Sequence, residues 1–128
     1  MSEEILTITV TTYEAEMLEG KASRVVMIPF SAVASGGYFT GKTVTNGVDT
    51  QVTTKNGFSL SARYMLEGID KSGRKCRLFI ENNGTSLENC KPRIYTDSEE
   101  LAFLENAELS ANVECVEKGV IIRIYNNQ

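Results

Sequence analysis

Neither histidine nor tryptophan occurs in the 128 residues, and the first absence closes off much chemistry. Without imidazole there is no Ser-His or Cys-His pair to activate a nucleophile, and no two-histidine metal site. Proline is limited to two residues. One of them interrupts the longest apolar run, Val25 to Phe30 (VVMIPF), which falls far short of the roughly 20 residues of a membrane-spanning helix. The only cysteines are Cys76, Cys90 and Cys115, an odd number without CxxC spacing. That argues against a disulfide framework and a zinc knuckle, so three reduced thiols are expected. Charge of neither sign is concentrated. Thirteen Lys and Arg against 17 Asp and Glu leave a net −4, and no basic stripe is interleaved with aromatics. There is no electrostatic reason to approach nucleic acid or an anionic membrane. The opening MSEEILTITV lacks the basic end and apolar centre of a secretory signal, so a cytoplasmic location is expected.

The pattern that is present has period two. ILTITV (Ile5 to Val10) alternates cleanly, and VDTQVTT, FSLSARYML, KCRLFIEN, AELSANVECV and VIIRIY set β-branched or aromatic residues between turn formers. Asn56-Gly57 is a strong two-residue hairpin signal, and Lys71-Ser72-Gly73 and Lys118-Gly119 are weaker ones. Only TDSEELAFLENAEL departs from alternation. Asp97 and Ser98 are candidate N-caps there, and Leu101 and Leu104 have helical spacing, which predicts one short helix near residues 98–105. No repeat, linker or composition shift divides the chain. The expected architecture is all-β, a single antiparallel β-barrel of many short strands over residues 1–128, closure being what removes exposed edges.

Within that frame, GVDTQVTTKNGFSLSARY (Gly47 to Tyr64) places Asp49, Gln51 and Arg63 where a plain sheet carries Val or Thr. A turn centred on Asn56-Gly57 pairs Lys55 with Phe58, Gln51 with Ala62 and Asp49 with Tyr64. Cross-strand partners share a face. Asp49 and Gln51 then lie on the inner face with Leu60, Ala62 and Tyr64, while Arg63 lies outside with Ser59 and Ser61. A three-residue loop at 71–73 pairs Ala62 with Asn82 and brings Asn82 inward. A two-residue turn at Ser72-Gly73 would instead bring in Phe79 and Glu81. The first register gathers Asp49, Gln51, Tyr64 and Asn82 around the small Ala62, a candidate ligand-binding patch in an apolar interior.

These residues resemble those of an uncharacterised family of small β-barrel proteins, the domain of unknown function thirty-two thirty-seven. Its Gly-Gly, aromatic, Gly run before a G-x-D-x-Q element is similar to SGGYFTG followed by GVDTQ. Its A-R-Y strand is similar to SARYML, and its I-x-V-x-N-x-G strand to LFIENNG, with Ile80, Asn82 and Gly84 in register. The chain departs from the family's common residues at Thr50, Ser61, Phe103 and Glu105. The resemblance implies a compact barrel with a polar patch inside and no particular activity.

Structural readings exist beside the functional ones. Asp49 and Gln51 can cap the Asn46-Gly47 turn, Tyr64 can be a core aromatic bonded to Asp49, and Asn82 can be a turn residue. Arg63 suits an ion pair or a subunit contact, and Glu114 with Arg123 a surface ion pair. Gly36, Gly37 and Gly41 lack Walker spacing and read as bulge or turn glycines. Three functions are compatible with this pattern, none needing a cofactor or metal. The favoured one is small-molecule binding by Asp49, Gln51, Tyr64 and Asn82. The others are proton-transfer catalysis such as isomerisation, hydration or cyclisation by Asp49 and Tyr64, and a homo-oligomeric assembly module with a filled barrel and an outer contact at Arg63 and Met65.

Overall fold

Alternating apolar and polar residues force each strand to bury one face. The computed structural model, which describes residues 2–127, meets that demand with ten strands. They are β1 (Ser2–Thr12), β2 (Glu16–Glu19), β3 (Ser23–Ser35), β4 (Phe39–Thr43), β5 (Gly47–Thr54), β6 (Gly57–Asp70), β7 (Lys75–Ser86), β8 (Asn89–Thr96), β9 (Leu109–Val116) and β10 (Gly119–Asn127). Both β1 and β2 pair with β3 along one edge, and β4 and β5 share its other edge. These two pairs therefore act as single interrupted staves, so ten strands make eight staves. Each stave is antiparallel to the next, and β10 pairs with β1 from Ser2↔Asn127 to Thr11↔Gly119 to close an up-and-down barrel. One seam is thin: β8 and β9 meet at the single bridge Cys90↔Ala111.

The barrel has a plugged end and a hollow end. At the plugged end Phe39, Leu66, Leu78, Leu101 and Leu104 are almost fully buried. A register shift between Glu4 and Leu6 turns both Ile5 and Leu6 inward, the re-aiming that a β-bulge provides. The predicted helix is shorter and tighter than a helix over 98–105: a 3-10 turn spans Ala102–Asn106. Leu101 and Leu104 lie three apart, the spacing that a threefold turn stacks on one side. Ser98 begins the segment as its sequence suggests, its hydroxyl accepting from the Leu101 N–H at 3.2 Å and donating to Asp70 at 2.9 Å. No helix among the described residues is long and apolar enough to cross a membrane.

The β5–β6 hairpin corrects the expected register. The turn is centred on Lys55-Asn56, with Thr54 opposite Gly57, Gln51 opposite Leu60 and Asp49 opposite Ala62. A turn centred on Asn56-Gly57 needs positive φ at both central residues, and here Gly57 alone adopts it, at +134°. The Thr54 hydroxyl instead accepts the Asn56 N–H at 3.1 Å and draws the turn back. A shift of two residues preserves facing, so Asp49 and Gln51 still point inward and Arg63 outward. The next hairpin follows the three-residue loop, with Ala62 opposite Asn82, Tyr64 opposite Ile80 and Leu66 opposite Leu78.

Candidate functional site

At the hollow end the barrel encloses a cavity of about 210 Å³. Its wall is mainly apolar: Val10, Ile28, Phe30, Leu60, Ala62, Val113, Val120 and Ile122 come from β1, β3, β6, β9 and β10. Leu87, in the turn between β7 and β8, stands with Thr12 and the exposed Cys115 in the same lining. The polar groups inside are few and clustered. Asp49 and Gln51 enter from β5 and Asn82 from β7, and Ala62 of β6 lies between them in register, opposite Asp49 on one side and Asn82 on the other.

The hydrogen bonding of this cluster is incomplete. Gln51 Nε2 donates to Asp49 Oδ2 at 3.0 Å, leaving Asp49 Oδ1 buried without a donor. Asn82 is 4% exposed and its Oδ1 is likewise without one. Buried acceptors are normally satisfied, and leaving one bare costs on the order of 1–3 kcal/mol. No lysine or arginine lines the cavity. Burial pushes the Asp49 carboxyl above the usual carboxylate range, and the Gln51 hydrogen bond only partly offsets it. Burial also raises the Cys90 thiol, the charge of Asp49 adds to that, and a hydrogen bond with Asn82 moderates it. Among the described residues no group of three His, Cys, Asp or Glu is placed to hold a metal ion.

The sequence-derived residues separate here. Asp49, Gln51 and Asn82 converge on the cavity, whereas Tyr64 does not line it. Tyr64 is a buried core aromatic, its ring packed edge-on against Phe30 at 5.2 Å between centroids. The expected Tyr64–Asp49 bond does not form, because the register puts Ala62 opposite Asp49 and the tyrosine hydroxyl has no partner. Gly47 makes the tyrosine's position possible: a Cβ there would stand 2.6 Å from Tyr64 Cβ and 2.8 Å from Phe30 Cζ. Arg63 is on the outer surface, ion-paired with Glu81 at 3.0 Å. Asn82 belongs to the middle of a strand, not a turn. Glu114 and Arg123 form the expected outer ion pair at 2.9 Å. Cys90 and Leu87 carried no motif. The available sign was the alternation Cys90, Pro92, Ile94, which β8 buries.

No protein-family model and no curated protein sequence matches the chain. Solved structures do. A protein with unknown function from Clostridium acetobutylicum ATCC 824 superposes with a TM-score of 0.82 at 24% identity, over 100% of this chain and 99% of its own. A β-barrel-like protein from Acinetobacter baumannii AYE gives a TM-score of 0.75 at 18% identity, over 98% and 94%. An enzyme from Penicillium herquei gives 0.76 at 12% identity, over 100% and 94%. At these identities the likeness establishes the whole-chain barrel fold.

Proposed function

We propose that the protein is a small-molecule-binding barrel whose site is the cavity at the hollow end. The observation that carries this reading is the pair of unpartnered acceptors, Asp49 Oδ1 and Asn82 Oδ1, in a largely apolar chamber. A packed core satisfies most of its buried polar groups from within, the Tyr64 hydroxyl being an exception here. A binding site holds them ready for an occupant. In this reading the protein works in the cytoplasm, with neither nucleic acid nor membrane as a partner, and is a divergent member of the family its SGGYFTG, GVDTQ and SARYML segments resemble. Gln51 orients the Asp49 carboxylate, and Tyr64 supports the wall from behind Phe30.

Turnover in the same cavity is the second reading, favoured by the raised proton affinity of Asp49. A carboxyl whose proton affinity is raised by burial is suited to general acid/base work. With the Tyr64 hydroxyl off the cavity, Asp49 would have to carry proton transfer alone.

Thermal shift against small aromatic and carbonyl compounds tests the binding reading, using the wild type and Ala62→Leu. The expected result is stabilisation of the wild type by a subset of compounds and loss of every such shift in Ala62→Leu, whose leucine fills the space between Asp49 and Asn82. Absence of any wild-type shift, together with strong destabilisation by Ala62→Leu, would mean a packed barrel and remove the proposal.

A further inference from the structure

The cavity's polar groups specify its occupant more narrowly than size alone. We propose that the site selects a small primary ammonium carried on an apolar, ring-sized body, with its N–H groups donated to Asp49 Oδ1 and Asn82 Oδ1 across the Ala62 methyl. This rests on the binding reading above. Both free positions are acceptors, so the occupant must bring donors. They enter from β5 and β7, on either side of β6, about 10 Å apart at the backbone, or two strand spacings. A group seated over Ala62 can meet both only if it carries two divergent N–H bonds. A hydroxyl has one proton and leaves one acceptor bare.

Charge separates an ammonium from a neutral amide. Asp49 is a carboxylate in the cavity wall with Gln51 as its only side-chain hydrogen-bond partner among the described residues. Arg63, the cationic residue next to Ala62 in sequence, points outward to Glu81. The titratable groups facing Asp49 from the other elements are Cys90 of β8 and Cys115 of β9, with Tyr64 behind the wall on β6, and none is cationic. The missing counter-charge is therefore left to the ligand. An anion would meet the carboxylate with no basic residue to compensate it. A bare metal cation would find too few oxygens, in a chamber whose remaining wall is chiefly hydrocarbon.

Volume sets the body. An apolar protein cavity of about 150 Å³ takes up benzene. The additional space in about 210 Å³ suits one ring bearing a short aminoalkyl arm. Benzylamine is the corresponding probe, with benzyl alcohol, toluene and benzoate as its neutral, apolar and anionic counterparts.

Titration calorimetry at pH 7.5 with these four compounds tests the inference on the intact chain. Benzylamine should bind at least about tenfold more tightly than benzyl alcohol, since hydrogen bonds to charged groups exceed neutral ones by roughly that factor. Benzoate should not bind detectably. Asp49→Asn should erase the preference for the amine while keeping the alcohol. Lowering the pH should weaken benzylamine on the wild type as Asp49 takes up its proton, and leave toluene unaffected, which supplies the same information should the variant fail to fold. Equal or tighter binding of benzyl alcohol or toluene would overturn the ammonium inference while leaving the binding reading intact. Failure of all four to bind would defeat the binding reading, and this inference with it.

Discussion

Asp49 and Asn82 stand on either side of Ala62, each one strand away from it, and each keeps one buried oxygen without a donor. Asp70, a second buried carboxylate, is satisfied by the protein itself. At the plugged end Asp70 accepts from the Ser72 and Arg74 backbone N–H groups at 3.0 and 3.1 Å and from the Ser98 hydroxyl at 2.9 Å. Asp49 therefore differs from Asp70 in keeping one oxygen open in the cavity wall.

These two carboxylates should oppose each other in the pH dependence of stability. Burial raises the Asp49 carboxyl, so the folded state holds its proton more tightly than the unfolded state does. Its contribution is therefore greatest at low pH and is lost as pH rises through the folded value. Burial also pushes Asp70 up, but its hydrogen bonds from Ser98, Arg74 and Ser72 outweigh that and hold it below the usual range. Its contribution is present at neutral pH and lost as pH falls through the folded value. In urea titrations from pH 3 to 7, Asp49→Asn should gain stability relative to wild type toward pH 7, and Asp70→Asn should lose it. A loss in both variants at neutral pH would contradict the environment assigned to Asp49.

Tyr64→Phe removes a buried hydroxyl that has no partner while retaining the ring against Phe30. An unsatisfied buried polar group costs about 1–3 kcal/mol. The variant should be equal to or up to about 1 kcal/mol more stable than wild type in chemical denaturation, and should bind the same compounds. Destabilisation by more than that would reveal a hydrogen bond to the tyrosine.

Gly47→Ala should destabilise by roughly 2 kcal/mol, within the range of overpacked cores. The new methyl would press on Tyr64 Cβ at 2.6 Å and the Arg63 carbonyl at 2.7 Å, and the backbone contact cannot swing away. A neutral result would require β5 to stand further from β6.

Arg63→Ala should change stability by less than about 1 kcal/mol, because the Arg63 side chain is 66% exposed in its pair with Glu81 and ion pairs open to solvent contribute little. Sedimentation of the same variant tests the assembly role of this face. A shifted oligomeric distribution is the expected signature of a subunit contact at Arg63. An unchanged one would limit the residue to its pairing with Glu81.

The barrel was legible because period-two alternation and turn residues are local signals. Thus ILTITV, FSLSARYML and VIIRIY each lie in a strand, the inner placement of Asp49 and Gln51 is insensitive to a two-residue difference in register because facing repeats every two, and Asn82 follows from the β6–β7 register, which is the expected one. The partner of Asp49 was not legible. It depended on whether Asn56 or only Gly57 would accept positive φ, and Thr54 decided that through its hydroxyl. The cavity was not legible either, since its volume is set by residues from β1, β3, β9 and β10 that meet only after closure. The short helical element takes the 3-10 form over Ala102–Asn106, a distinction the sequence does not carry because three-residue and four-residue spacings are nearly indistinguishable over a single turn.

The single Cys90↔Ala111 bridge between β8 and β9 has a dynamic consequence. A cylinder distributes stress around its circumference, and it opens where the fewest backbone bonds must break together. Along β10 and β1 nine residue pairs act as one zipper, whereas at Cys90 one bridge stands alone. Amide exchange should therefore be fastest along the facing edges of β8 and β9. Cys90 is part of the cavity wall, so the same breathing that exposes those amides should open a side door to the chamber.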